Sequence, residues 1–113
     1  MTRRVQEWEP VFDYCNRAQG LPEAETEARF HNVRRWKFDR LYRAQMVAVE
    51  IDGGVWSQGR HSRGDGMLKD NEKINTAQTM GYIVLRFTPQ QVKDGECWDV
   101  IRAALQARGW RGE

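Results

Sequence analysis

The residues best equipped for chemistry lie between Arg34 and Arg63, in the stretch RRWKFDRLYRAQMVAVEIDGGVWSQGRHSR. Asp39 ends a short alternating run in which Trp36 and Phe38 fall on one side and Lys37 and Asp39 on the other. Glu50 and Asp52 follow the apolar run Met46 to Val49 and precede Gly53-Gly54. Apolar runs of this length bounded by turn signals read as buried strands. A carboxylate buried there is costly unless it is paired or binds a metal. Strand alternation puts Glu50 and Asp52 on one face and Ile51 on the other. If the two runs form an antiparallel hairpin, Asp39 falls opposite the Glu50 end and three carboxylates converge on one spot of a sheet. Oxygen donors suit Mg²⁺ or Mn²⁺, and Mg²⁺ typically takes one or two carboxylates with waters and substrate oxygens. Asp39 and Glu50 would supply these, with the Ile51 carbonyl and Asp52 as further donors. Such an ion neutralises charge on a phosphoryl group and activates water, and a nearby lysine would orient that water or stabilise the transition state.

The surrounding charge fits a phosphate-bearing partner. Arg34, Arg35, Lys37, Arg40 and Arg43 cluster before the acidic centre, and Arg60, His61 and Arg63 follow it. Trp36 and Trp56 are interleaved with them, as phosphate binding with base stacking requires. Lys69 and Asn75, on the polar side of a later helix, complete the candidate DNA contacts. The alternative is a merely solvated basic face. Residues 53 to 66 hold five of the ten glycines. They form an expected loop in which Trp56, Arg60, His61 and Arg63 would meet the substrate; it is not a phosphate-cradling loop, because no GK[ST] follows.

The elements that must position these residues follow from periodicity. Residues 3 to 19 suggest an amphipathic helix with Val5, Trp8, Phe12 and Cys15 on one stripe. Pro10 moves its regular start to near Glu9, and Gly20 and Pro22 end it. Glu9 could face a site beside the sheet, or could simply complement the helix dipole. Pro22 to Glu27 reads as a polar connector, followed by strands at Ala28–His31, Arg34–Leu41 and Met46–Asp52. His31 stands alone, without ligand spacing around it. A second helix is expected over Met67–Met80, with Met67, Leu68, Ile74, Ala77 and Met80 apolar and Gly81 as its cap. Lys69 and Lys73 share a face of that helix. A strand, Tyr82–Phe87, is closed by Thr88-Pro89, and a final helix begins near Cys97. The order α-β-β-β-α-β-α predicts an α/β fold around a mixed sheet.

At 113 residues, 30% of them charged and 40% hydrophobic, the chain is expected to be a single domain over 1–113 and a soluble globular protein. It has no apolar run long enough to span a bilayer, and its start, MTRRVQEWE, is unlike a signal peptide. An intracellular, cytoplasmic location and no membrane partner are therefore expected. The net charge of +2 is too small to establish nucleic-acid binding by itself. Cys15 and Cys97 lie far apart without ligand-type neighbours and suggest core thiols.

The arrangement resembles the PD-(D/E)XK nuclease superfamily, in which an aspartate on one strand is followed by E-x-K on the next. It is more closely similar to small Vsr-like endonucleases of phages and bacteria. The segments that carry the likeness are Trp36–Asp39, Val47–Trp56, Gly59–Gly64, Asp70–Asn75 and Gly81–Phe87; with Glu9 as an extension, they span about two thirds of the chain. The resemblance implies a restriction-endonuclease-like fold, Mg²⁺ or Mn²⁺ at Asp39 and Glu50, and a bacterial or phage-infected cell. Asp52 stands where the superfamily lysine usually is. The resemblance offers two answers. Lys73 is a relocated catalytic lysine, or Asp52 is itself a ligand and His61 takes part in proton transfer. Lys73 paired with Asp70, or His61 as a phosphate contact, are the structural alternatives. Trp56 matches an aromatic that wedges into DNA in Vsr-like enzymes, with core packing as the alternative. The zinc-binding Cys and His residues of true Vsr enzymes are missing, so no structural zinc is expected.

The expected activity is a metal-dependent DNA endonuclease nicking duplex or branched DNA in recombination, repair or packaging, with a homodimer as one way to make paired cuts. The alternative is a non-catalytic DNA-binding module on a degenerate nuclease fold, favoured by the missing lysine. A nuclease acting on RNA is a third, weaker reading; nothing in the chain reads a 2′-hydroxyl specifically, so the sequence does not decide between DNA and RNA.

Overall fold

The computed structural model describes residues 3–52 and 65–112, and among these described residues eight elements form. In chain order they are α1 (Trp8–Ala18), β1 (Glu25–Arg29), β2 (Lys37–Tyr42), β3 (Val47–Ile51), α2 (Asp65–Thr79), β4 (Ile83–Phe87), α3 (Pro89–Lys93) and α4 (Cys97–Ala107). Trp8, Phe12 and Asn16, spaced four apart, form the buried stripe of α1. Pro10 lies in the first turn, where its missing N–H costs nothing. At the end of α2, Gly81 has φ +102°. Tyr82 N–H donates to the Ala77 carbonyl and Gly81 N–H to that of Gln78. That pair of bonds is a Schellman motif, and its left-handed residue favours glycine.

The sheet is mixed, in the order β1-β2-β3-β4. β1–β2 and β2–β3 are antiparallel, and β3–β4 is parallel. The β2–β3 hairpin turns through Arg43–Met46, and Met46 takes φ +56° rather than opening the strand. The parallel partner β4 needs a crossover, and α2 lies on it.

Helices cover both faces. Trp8, Phe12, Tyr42, Val47, Val49, Ile51, Phe87, Trp98, Ile101 and Leu105 pack on the side of α1, α3 and α4. Phe30, Phe38, Leu41, Ala48, Ala77 and Tyr82 pack on the side of α2. Cys15 and Cys97, both free thiols, sit with the first cluster. No described helix is long and apolar enough to cross a membrane.

The structure departs from the sequence reading in other places too. β1 begins at Glu25, inside the expected connector, and ends before Phe30. It is an edge strand with Ala28 as its one buried residue, so it carries no alternation to detect. The short helix α3 follows β4 where a simple strand end was expected. Thr88 and Gln91 form a capping box around Pro89, a start signal present in the sequence. Leu68 and Met80 are exposed on α2 rather than part of its packed side.

The basic cluster also divides. Arg40 is 1% exposed. Its guanidinium donates to Asp13 at 2.9 Å, to Glu9 at 3.1 Å and to the Asp39 carbonyl at 2.7 Å, and lies over the Trp8 ring. It ties α1 to the sheet. Arg43 pairs with Glu25 at the surface. Removing one member of a buried charge network typically costs about 3–5 kcal/mol, whereas an exposed pair contributes about 1 kcal/mol or less. Urea unfolding should therefore show Arg40→Ala losing several kcal/mol and Arg43→Ala losing little. Equal losses would contradict this division.

Candidate metal centre

The β2–β3 ladder runs from Tyr42↔Val47 to Arg40↔Val49. One step further in that register, Asp39 stands opposite Glu50. Here side chains meet the backbone donors. Asp39 N–H donates to Glu50 Oε2 at 2.9 Å, and Ile51 N–H donates to Asp39 Oδ2 at 2.7 Å. Each carboxylate is thus fixed by a charge-assisted bond from the other's strand. β2 is irregular here: Phe38 and Leu41, three apart, both pack toward α2, which strict alternation forbids.

Lys73 reaches this pair from α2. Its Nζ lies 2.6 Å from Glu50 Oε1 and over the Phe38 ring. Lys73 and Glu50 are largely buried. Burial pushes the Asp39 carboxyl above its usual range, against the opposing pull of the Ile51 N–H and Lys73. Burial likewise raises Glu50, and Lys73 opposes that rise. Both carboxylates are therefore harder to ionise than in water, and cations at this point favour their charged forms.

The other sequence candidates are distributed around this pair. Asp52 accepts from Arg86 at 2.6 Å, and Arg86 also meets Asp70 at 2.9 Å. Glu9 is 3% exposed and accepts from both Arg3 nitrogens, from Gln6 N–H and from Arg40. The Arg3 hydrogen bonds, foremost among these contacts, hold it down at about 2. Glu9 touches the centre through Arg40, which bonds the Asp39 carbonyl. Arg34 pairs with Glu72 of α2 and covers Trp36 at 4.5 Å, and Trp36 is half-buried beside Phe30. Arg35, Lys69 and Asn75 are exposed. His31 Nδ1 accepts from Val33 and Arg34 N–H, which shapes the loop before β2. Trp56, Arg60, His61 and Arg63 lie outside the described residues.

Glu27 was missed by sequence reasoning. The pairs Thr26↔Arg40 and Ala28↔Phe38 set it opposite Asp39, with φ +51°. Its carboxylate lies 3.8 Å from Lys37 and 4.0 Å from Arg3, and its charge adds to the upward push on Asp39. No sequence signal pointed to it, because it fell in the expected connector.

Among the described residues, no group of three or more His, Cys, Asp or Glu is placed to hold a metal ion. The donor set is accordingly the Asp39–Glu50 pair, with the Ile51 carbonyl next along β3. Two hard carboxylates, already oriented, fit Mg²⁺ or Mn²⁺, which keep water and substrate oxygens at their remaining positions.

The two kinds of carboxylate have opposite consequences for stability. Glu9, depressed in the folded state, contributes stability that is present above the ordinary carboxylate pKa and is lost as pH falls toward about 2. Asp39, raised in the folded state, costs stability when ionised, and that cost disappears as pH falls through its folded value. With EDTA present, Asp39→Asn should raise Tm near neutral pH, the gain fading in acid. Glu9→Gln should lower Tm near neutral pH, its deficit shrinking in acid. The same sign for both variants would refute the assignment.

Searches of protein-family models, of curated proteins and of solved structures find no match for this chain, so its sequence and geometry carry the functional reading.

Proposed function

We propose that the protein is a metal-dependent DNA endonuclease that hydrolyses phosphodiester bonds. The observation that carries this reading is the Asp39–Glu50 pair with Lys73 at 2.6 Å. Two carboxylates fixed at a strand end, largely withdrawn from water and served by one lysine, form an unfavourable grouping for stability alone. A site that receives a divalent cation and a phosphate accounts for it. Asp39 and Glu50 hold the cation, which when bound neutralises phosphoryl charge and activates water. Lys73 carries a positive charge at the rim of the pair, where it meets a phosphate oxygen or orients the attacking water.

The same contact supports catalysis over the alternative, a DNA-binding module on a degenerate nuclease fold. Asp52 occupies the usual lysine position in the sequence, yet a lysine from α2 reaches the glutamate. A pure binder has no use for buried carboxylates facing phosphate. Exposed Arg35 and Lys69 supply positive charge suited to a nucleic-acid backbone. A restriction-endonuclease-like domain acting on duplex or branched DNA fits these features best. Homodimerisation would allow paired cuts.

A nicking assay on supercoiled plasmid and a four-way junction, with Mg²⁺, Mn²⁺ or EDTA, tests the proposal. Wild type should cut with either metal and not with EDTA. Asp39→Ala and Glu50→Ala should abolish cutting while retaining DNA binding. Lys73→Ala should lose about 100-fold or more, the scale of a lost transition-state contact, and Lys69→Ala only a few-fold. Cutting retained by Asp39→Ala would overturn the metal assignment. Binding without cutting by wild type would favour the module.

A further inference from the structure

α2 is an unusual packed helix because its inward stripe is half charged. Asp70, Lys73, Ile74 and Ala77 fall at i, i+3, i+4 and i+7 and so share a face. Ala77 is buried in the cluster on this side of the sheet and Ile74 is half-buried, so apolar packing holds the C-terminal half. Toward the N-terminus the stripe becomes Lys73 and Asp70, and the sheet changes to match. Lys73 meets Glu50 of β3, and Asp70 meets Arg86 of β4. Glu50 and Arg86 are themselves partners in the parallel β3–β4 register, so they stand side by side on the same face.

Arg86 makes a second contact. Its Nη2 lies 2.6 Å from Asp52, immediately after β3, and 2.9 Å from Asp70. One guanidinium therefore spans the end of the strand bearing Glu50 and the helix bearing Lys73. Asp70 is one turn before Lys73. A shift of α2 at Asp70 thus moves the lysine nitrogen relative to Glu50. Isolated exposed pairs contribute little to stability, and these three residues are each more than a third exposed. Their effect is geometric. In this half of the helix, the described contacts with the sheet are polar bonds: Lys73 with Glu50, and Asp70 with Arg86.

We propose that Arg86 is the positioning residue for Lys73: by bridging Asp52 and Asp70 it sets α2 on the sheet so that the lysine nitrogen meets Glu50. The consequence for cleavage rests on the nuclease reading above; the consequence for Lys73 itself does not. A lysine at position 86 restores one contact at a time, because an ammonium lacks the planar fork of guanidinium. A misplacement of about 1 Å can cost up to about 100-fold in rate.

The experiment compares wild type with Arg86→Gln, Arg86→Lys, Asp70→Asn and, as a remote control, Arg111→Gln. The ¹³Cε and ¹Hε NMR signals of Lys73 are followed without DNA or metal, and kcat and KM for plasmid nicking are measured separately. Arg86→Gln and Asp70→Asn should both shift the Lys73 signals and lower kcat about 10- to 100-fold. KM should stay within about three-fold, because a positioning residue leaves ground-state binding largely intact. Arg86→Lys should fall between these and wild type, and Arg111→Gln should match wild type. Asp70→Asn keeps the test decisive if Arg86→Gln fails to fold, since it leaves Arg86 paired with Asp52. Unmoved Lys73 signals in folded Arg86→Gln or Asp70→Asn would overturn the proposal. So would a raised KM at unchanged kcat, which would make Arg86 a phosphate contact. Shifted Lys73 signals in a protein whose wild type cuts no DNA would sustain the positioning role and defeat the nuclease reading.

Discussion

Two backbone donors at the end of the central hairpin, Asp39 N–H and Ile51 N–H, are met by carboxylates. Much of the centre's geometry follows from that exchange. A strand N–H withdrawn from water needs an acceptor, and a carboxylate oxygen is a strong one. Using Glu50 and Asp39 for this purpose orients both side chains before any ligand arrives. Burial there lifts both carboxyls above their usual range, and neighbouring carboxylates, Glu27 for Asp39 and Asp39 for Glu50, add to the lift. The surroundings then supply cations: Lys73 from α2, Arg40 beneath the Asp39 carbonyl, and Lys37 and Arg3 near Glu27. Preorganised oxygens in a partly dry setting are what electrostatic catalysis requires.

The two faces of the sheet solve different problems. On the α1 side, Arg40 is enclosed by Glu9, Asp13 and two aromatic rings, and its charge is internally matched. Such a hub fixes the register of α1 on β2. On the α2 side the charges are less enclosed, and the helix meets the sheet through ion pairs toward its N-terminal half. A buried charge hub thus anchors one face, and a charged seam lies beside the carboxylates on the other.

The hairpin and its carboxylates were legible in the sequence because an apolar run ending in acid is locally inconsistent, and such inconsistencies concentrate at functional sites. The register followed from the short turn after Tyr42. Lys73 was legible as a candidate through the resemblance, while its distance from Glu50 needed the crossover geometry. β1 was misplaced because an edge strand with one buried residue has no periodic signal. Glu27 was lost with it, since its relation to Asp39 exists only through β1–β2 pairing. The capping box at Thr88 was readable, but five residues of helix are too short to register as a period. Arg86 looked like an ordinary strand-end residue, because nothing local shows that β3 and β4 run parallel.

The charged seam explains why α2 was the hardest element to interpret. Its sequence places Leu68 and Met80 where an amphipathic helix would bury them, yet both are exposed, while Asp70 and Lys73 turn inward. Hydrophobic periodicity identifies the packed face of a helix only when that face is apolar. Here the opposing surface carries Glu50 and Arg86, side by side in the parallel register, and the complementary helix face is an acid and a base three residues apart. Pairing in this sense is specific: sliding α2 by one turn would part Lys73 from the largely buried Glu50, and an unpaired buried charge is costly. The seam therefore acts as a register device, and the residue it holds in register is the lysine beside the carboxylate pair.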